Sequence, residues 1–147
     1  MKIYLDNCCF NRPFDTQLDI KIRLETEAKL YIQQLIKNRK LQLVWSYILD
    51  FENSKNPFEE RKRQIERWKI FAVEDIEEND FILKIGKKLE ELGLKKIDSL
   101  HVACAVYAKC DYFITTDKGI LKKAKKINEI FITDPINFIR EEVLNAY

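Results

Sequence analysis

Two rhythms of apolar residues alternate along the chain. Short β-prone runs occur at Lys2 to Leu5, Leu41 to Trp45 and Phe71 to Val73, and continuous apolar runs of strand length at Tyr112 to Thr115 and Ile130 to Ile132, and together they predict about five short strands. Between them apolar residues recur every three to four positions. From Leu18 to Asn38 the stripe is Leu18, Ile22, Ala28, Ile32, Leu35 and Ile36, the spacing of an amphipathic helix. Ser46 is suited to cap a helix through Tyr47, Leu49, Phe51 and Glu52, and Pro57 to open a charged helix reaching about Trp68. Glu77 to Leu92 follows on Phe81, Ile85, Leu89 and Leu92, with Gly93 in the C-terminal cap position. Asp98 to Lys109 is apolar on more than one side, which predicts a buried helix. A basic helix over Lys118 to Lys126 and a last one on Ile136, Ile139, Val143 and Leu144 complete the series. Strands separated by helices form βαβ units, so the expected class is α/β, with a mostly parallel sheet covered by helices on both faces.

Composition narrows this further. A length of 147 residues with no internal repeat or linker fits one domain spanning 1–147. Three Gly and three Pro are too few for the turns of an all-β fold. The formal net charge of +2 announces no partner, but Arg61, Lys62 and Arg63, then Lys95 and Lys96, then Lys122, Lys123, Lys125 and Lys126 form local basic groups able to meet phosphates. Each group alone is more readily a solvated helix face. Cys8, Cys9, Cys104 and Cys110 make no C-x-x-C pair, and with His101 the single histidine, a zinc site is disfavoured. The thiols are expected to be reduced, in a cytoplasmic protein without a signal segment or an apolar run long enough for a membrane.

In a parallel sheet ligands bind beyond the carboxyl ends of the strands, where the strand order reverses. Asp6 closes the first strand and Asp117 follows the fourth, so both are expected on that edge. Asp98, at the entrance of the apolar helix, must be brought there by packing. Taken singly, each of these acids has an ordinary reading as a cap or turn residue. Glu52, at the end of its helix, has Asp50 as a neighbouring competitor. Together the acids would repel unless a cation neutralised them. Mg²⁺ and Mn²⁺ prefer such oxygen donors, and a metal held there can polarise a scissile phosphate and activate water. His101 lies three residues after Asp98 on the same helical side. Metal activation of water needs no imidazole, so His101 reads as a hydrogen-bonded packing residue rather than a base. Asp15, Asp19 and Asp134 read as loop or cap residues.

Tyr4-Leu5-Asp6-Asn7, Ser46 to Glu52, Ile97-Asp98-Ser99-Leu100-His101-Val102-Ala103-Cys104-Ala105 and Phe113-Ile114-Thr115-Thr116-Asp117, taken in order, resemble the motifs of PIN domains, including the VapC-like toxins. The resemblance spans essentially the whole chain, and the Asp98 to Asp117 block is its most specific part. It implies a Rossmann-like three-layer α/β/α sandwich and a Mg²⁺- or Mn²⁺-dependent ribonuclease. The metal acids would be Asp6, Glu52, Asp98 and Asp117, with Asn7 and Thr116 assisting. Family members often carry Asp-Thr-Asn after strand one, where this chain has Asp6-Asn7-Cys8. RNA as substrate, an antitoxin protein as partner and a homodimer are further expectations of the resemblance.

The leading expectation is therefore a metal-dependent endoribonuclease, which the resemblance would make the toxin of a toxin-antitoxin pair. The alternative is a catalytically inactive PIN fold that binds RNA or protein, for which retention of all four acids would have no use. A receiver-like phosphoacceptor domain would want its acid after the middle strand, where this chain offers only helix acids.

Overall fold

The computed structural model of the protein describes residues 1–144. Its elements, in chain order, are β1 (Lys2–Leu5), α1 (Asn7–Asn11), α2 (Ile20–Lys37), β2 (Gln42–Ser46), α3 (Tyr47–Ser54), α4 (Glu59–Glu66), β3 (Ala72–Ile76), α5 (Asp80–Glu91), α6 (Lys96–Tyr107), β4 (Tyr112–Ile114), α7 (Lys118–Lys123), β5 (Phe131–Thr133) and α8 (Pro135–Phe138). A π-helical turn, Ile139–Val143, extends α8. The Val143 side chain and residues 145–147 lie outside the described part.

All five strands are parallel, in the order β3-β2-β1-β4-β5. The chain therefore starts in the middle, builds outward through β2 and β3, then returns to the other side of β1 for β4 and β5. Right-handed crossovers from a central strand in two directions place helices on both faces. In keeping with this, α2 packs on α8 and α5 packs on α6. The result is the expected α/β fold with a five-stranded parallel sheet. Central strands carry the core: Ile3, Tyr4, Leu5, Leu43, Val44, Trp45, Phe113 and Ile114 are wholly buried, as strands covered on both sides require.

Some local features differ from the sequence expectation. The third strand runs to Ile76 rather than stopping at Val73, because a bulge opposite Leu43 and Val44 leaves Val73 out of register and Glu74 and Asp75 continue the pairing. Charged residues at an edge hide a strand from an apolar-run criterion. Pro57 lies ahead of its helix: the Asn56 side chain accepts the Phe58 N–H (3.1 Å) in a turn, and α4 starts at Glu59.

Helix α2 is the largest departure. Ile32 and Ile36 face the core as expected, but Glu25, Thr26, Lys29 and Gln33 are buried beside them, while Leu18, Ile20 and Leu24 are exposed. The buried polar face serves the segment after α1. Arg12 donates from Nε to Glu25 (3.2 Å) and from Nη1 to Asp15 (2.8 Å), and the Thr26 hydroxyl donates to the Arg12 carbonyl (3.1 Å). Lys29 has no hydrogen-bonding partner among the described residues; its ammonium lies 5.6 Å from the Phe10 ring centre and 5.9 Å from that of Trp68.

Burial lowers the Lys29 amine from 10.5 to about 7. A lysine whose folded pKa is depressed contributes no penalty above its unfolded pKa and a growing one as pH falls toward the folded value. Lys29→Met should therefore stabilise the fold by about 2 kcal/mol near pH 6, with the gain vanishing toward pH 10, as read by urea unfolding at several pH values.

Candidate active site

The reversal of strand order lies between β1 and β4, and the pairing there is in register: Ile3 with Tyr112, Tyr4 with Phe113, Leu5 with Ile114. The next residues, Asp6 and Thr115, are consequently brought side by side at the carboxyl edge. The Asp6 N–H donates to the Ile114 carbonyl (2.9 Å), and the Thr115 hydroxyl donates to Asp6 Oδ2 (2.7 Å). Asp6 is also the N-cap of α1, its Oδ1 accepting the Asn7 N–H (2.8 Å). Burial pushes its carboxyl above the ordinary value of 3.8; His101 opposes this most, then the Thr115 bond, while Glu52 adds to it.

Glu52 enters from α3. Ser46, the last residue of β2, caps that helix by accepting the Leu49 N–H (3.3 Å), and Glu52 meets His101 Nε2. His101 Nε2 is also 3.8 Å from Asp6 Oδ1. Ligand-capable atoms of Asp6, Glu52 and His101 all lie within 4.8 Å of one another. Asp50 points elsewhere: it accepts from Trp45 Nε1 (2.9 Å) and from Lys69 (3.1 Å). The structure thus places Glu52, and not Asp50, with Asp6.

Asp98 and Asp117 lie outside that tight group but within its field. Helix α6 begins two residues before Asp98, with Lys95 as its N-cap, so Asp98 is not a cap and its side chain has no hydrogen-bonding partner among the described residues. Its carboxyl is pushed up to about 6, by burial first, then by Asp6 and Asp117; His101 offsets part, and Glu52 adds a little. Asp117 does cap α7, Oδ1 accepting the Ile120 N–H (3.1 Å). A Cβ on Gly119 would stand 3.0 Å from that oxygen, so glycine leaves the carboxylate its room.

The two assisting residues are placed differently from the expectation. Thr116 is buried, yet the hydroxyl that reaches Asp6 is that of Thr115, which also accepts the Asp117 N–H (3.0 Å). In a parallel strand neighbours point to opposite faces, so a one-residue difference decides which threonine faces the acids. Asn7 contributes its backbone N–H, while its side-chain oxygen is buried without a partner among the described residues. Thr115 is the residue that motif reading passed over, while His101 is buried and hydrogen-bonded to Tyr4 and Glu52. The signal for Thr115 was register, since it is the first residue past the strand that pairs with the one ending at Asp6.

Of the basic groups, Lys95 and Lys96 start the helix that carries Asp98, and Lys118 follows Asp117. Arg61 is engaged in the fold, donating to the Phe14 carbonyl (3.0 Å) and lying over the Phe14 and Phe58 rings. No helix among the described residues is long and apolar enough to cross a membrane.

The profile of the PIN domain family matches residues 3–126. The chain belongs to that family. PIN domains are generally nucleases that use divalent metals. Among solved structures this PIN domain is similar to a chain of VapBC2 from Rickettsia felis bound to a DNA fragment from their promoter, with 16% identity, a TM-score of 0.56, and coverage of 91% of this chain and 98% of that one. No curated protein matches it in sequence. At that identity the likeness to VapBC2 concerns the fold.

A carboxyl raised to about 6 stabilises the folded state below its unfolded pKa of 3.8 and loses that contribution as pH rises through 6. In the metal-free PIN domain Asp98→Asn should therefore raise stability at pH 8 by about 1–2 kcal/mol, discounted for the solvent around a half-buried group, and leave it unchanged near pH 4. Thermal unfolding at the two pH values reads the difference.

Proposed function

We propose that this PIN domain is an endoribonuclease that uses Mg²⁺ or Mn²⁺, and that it is the toxin of a toxin-antitoxin pair acting in the cytoplasm. The observation that carries the reading is the convergence of four acids at the strand-order reversal, with burial and mutual repulsion raising the carboxyls of Asp6 and Asp98. Such an arrangement is costly alone and is relieved by a hard cation. The donors fit one: they are carboxylate oxygens, Asp98 is without a competing hydrogen bond among the described residues, and Gly119 leaves space beside Asp117. Asp6, Glu52, Asp98 and Asp117 would hold the ion, which would supply Lewis-acid stabilisation of the phosphate and a water of lowered pKa.

The chain's own residues do the rest. Thr115 and the Asn7 N–H fix both oxygens of Asp6. Lys95, Lys96 and Lys118, beside the acids in sequence, would position the RNA backbone by its phosphates. The protein in the similar structure is a VapBC assembly, which supports an antitoxin partner here. The exposed apolar residues Ile20 and Leu24 of α2 offer surface for such a partner or a second copy.

Purified protein should cleave RNA with Mg²⁺ or Mn²⁺ and not with EDTA, and Asp6→Asn and Asp98→Asn should each lower kcat by about 100-fold or more. Full activity in both variants, or none with any divalent ion, would refute the reading. Because a proton on Asp98 competes with the ion, the metal concentration for half-maximal activity should rise as pH is lowered through about 6.

A further inference from the structure

Behind the acids runs a line of buried polar side chains that the metal chemistry does not use. Tyr4 from β1, Ser46 from the end of β2 and His101 from α6 are all wholly buried. The Tyr4 hydroxyl lies 2.6 Å from Ser46 Oγ and 2.7 Å from His101 Nδ1. At one end of the line Ser46 takes the Leu49 N–H, and at the other His101 Nε2 meets Glu52.

Only one arrangement of protons on a neutral ring satisfies this line. A carboxylate accepts and cannot donate, so the ring proton is on Nε2, pointing at Glu52. A neutral imidazole then has its lone pair on Nδ1, and the Tyr4 hydroxyl must donate to it. The Tyr4 oxygen accepts from the Ser46 hydroxyl, and the Ser46 oxygen accepts from the Leu49 N–H. Each donor in the line then has one acceptor. The Asp6 oxygen, at 3.8 Å, is beyond hydrogen-bond reach of the same N–H.

We propose that Tyr4 and His101 are positioning residues, which hold the Glu52 carboxylate in the site through the ring's Nε2–H, and that His101 is therefore not itself a metal ligand. A nitrogen whose lone pair is taken by a proton cannot coordinate, although Asp6, Glu52 and His101 sit close enough to suggest a three-residue metal site. The line also explains how a glutamate on a short helix keeps its aim. Ser46 fixes the start of α3 and, through Tyr4 and His101, the carboxylate in its second turn, so one set of bonds ties β1, β2, α3 and α6 together. The kinetic consequence rests on the nuclease reading; the proton arrangement does not.

His101 is the single histidine in the sequence, so its ring nitrogens can be read without assignment after ¹⁵N-histidine labelling. In mildly alkaline buffer the long-range ¹H–¹⁵N spectrum should show the Nε2–H tautomer, unchanged on adding Mg²⁺, and the Tyr4→Phe/Glu52→Ala double variant, which removes both partners of the ring, should release it to a mixture of tautomers. An Nδ1–H tautomer, or loss of the Nε2 proton with Mg²⁺, would overturn the proposal. In RNA cleavage, His101→Leu should lower kcat about tenfold with KM within about twofold, and His101→Gln, which keeps an amide N–H, should recover most of it. In a Glu52→Ala background His101→Leu should cost nothing further; an undiminished loss there would also overturn it. Thermal unfolding checks that each variant is folded, and Tyr4→Phe keeps the ring volume where His101→Leu does not fold. Absence of cleavage by the unaltered protein would refute the nuclease reading while the tautomer still decides this one.

Discussion

The in-register parallel pairing of β1 with β4 is the constraint from which the site follows. Leu5 opposite Ile114 makes Asp6 and Thr115 neighbours, and the bond from the Asp6 N–H to the Ile114 carbonyl holds them there. A slip of one residue would turn Thr115 to the other face, put Thr116 in its place and displace Asp117 by one position relative to Asp6. The register is specified by burial on both sides of both strands: Ile3, Tyr4, Leu5, Phe113 and Ile114 have no solvent-facing alternative.

Once Asp6 is fixed, the remaining groups arrive by different routes and at a cost. Glu52 comes from a helix capped by Ser46, Asp98 from the first turn of an apolar helix, and Asp117 from a helix cap. The raised carboxyls mean that the fold gives up stability to gather negative charge, as functional sites commonly do. Thr115, the backbone amides and the His101 ring compensate in part. A similar concession at Lys29, held by aromatic rings rather than by an acid, shows that this chain tolerates unfavourable burial away from the site as well.

The α/β class, five strands and the edge carrying Asp6 and Asp117 were legible because they rest on apolar runs and on where each run ends. Glu52 was legible only as a candidate, since choosing it over Asp50 depends on Trp45 and Lys69 engaging the latter, contacts made across the fold. Asp98 looked like a cap because the helix was expected to start at it; Lys95 takes that position instead. Thr115 and the Tyr4–His101 contact were invisible to periodicity, as each joins residues about a hundred positions apart. The α2 face was misjudged because its buried polar residues answer Arg12, a long-range need that an apolar stripe does not encode.

The bulge at Val73 bears on how the molecule meets its own kind. It breaks the regular ladder of β3, and the residues that follow it, Glu74 and Asp75, are charged, while the opposite border is the three-residue strand β5. Neither border offers a long, flat row of free backbone groups, so extension of the sheet from one copy into the next is disfavoured. Self-association of this chain is thereby steered away from strand addition, the route that leads to fibres, and toward its helical surfaces.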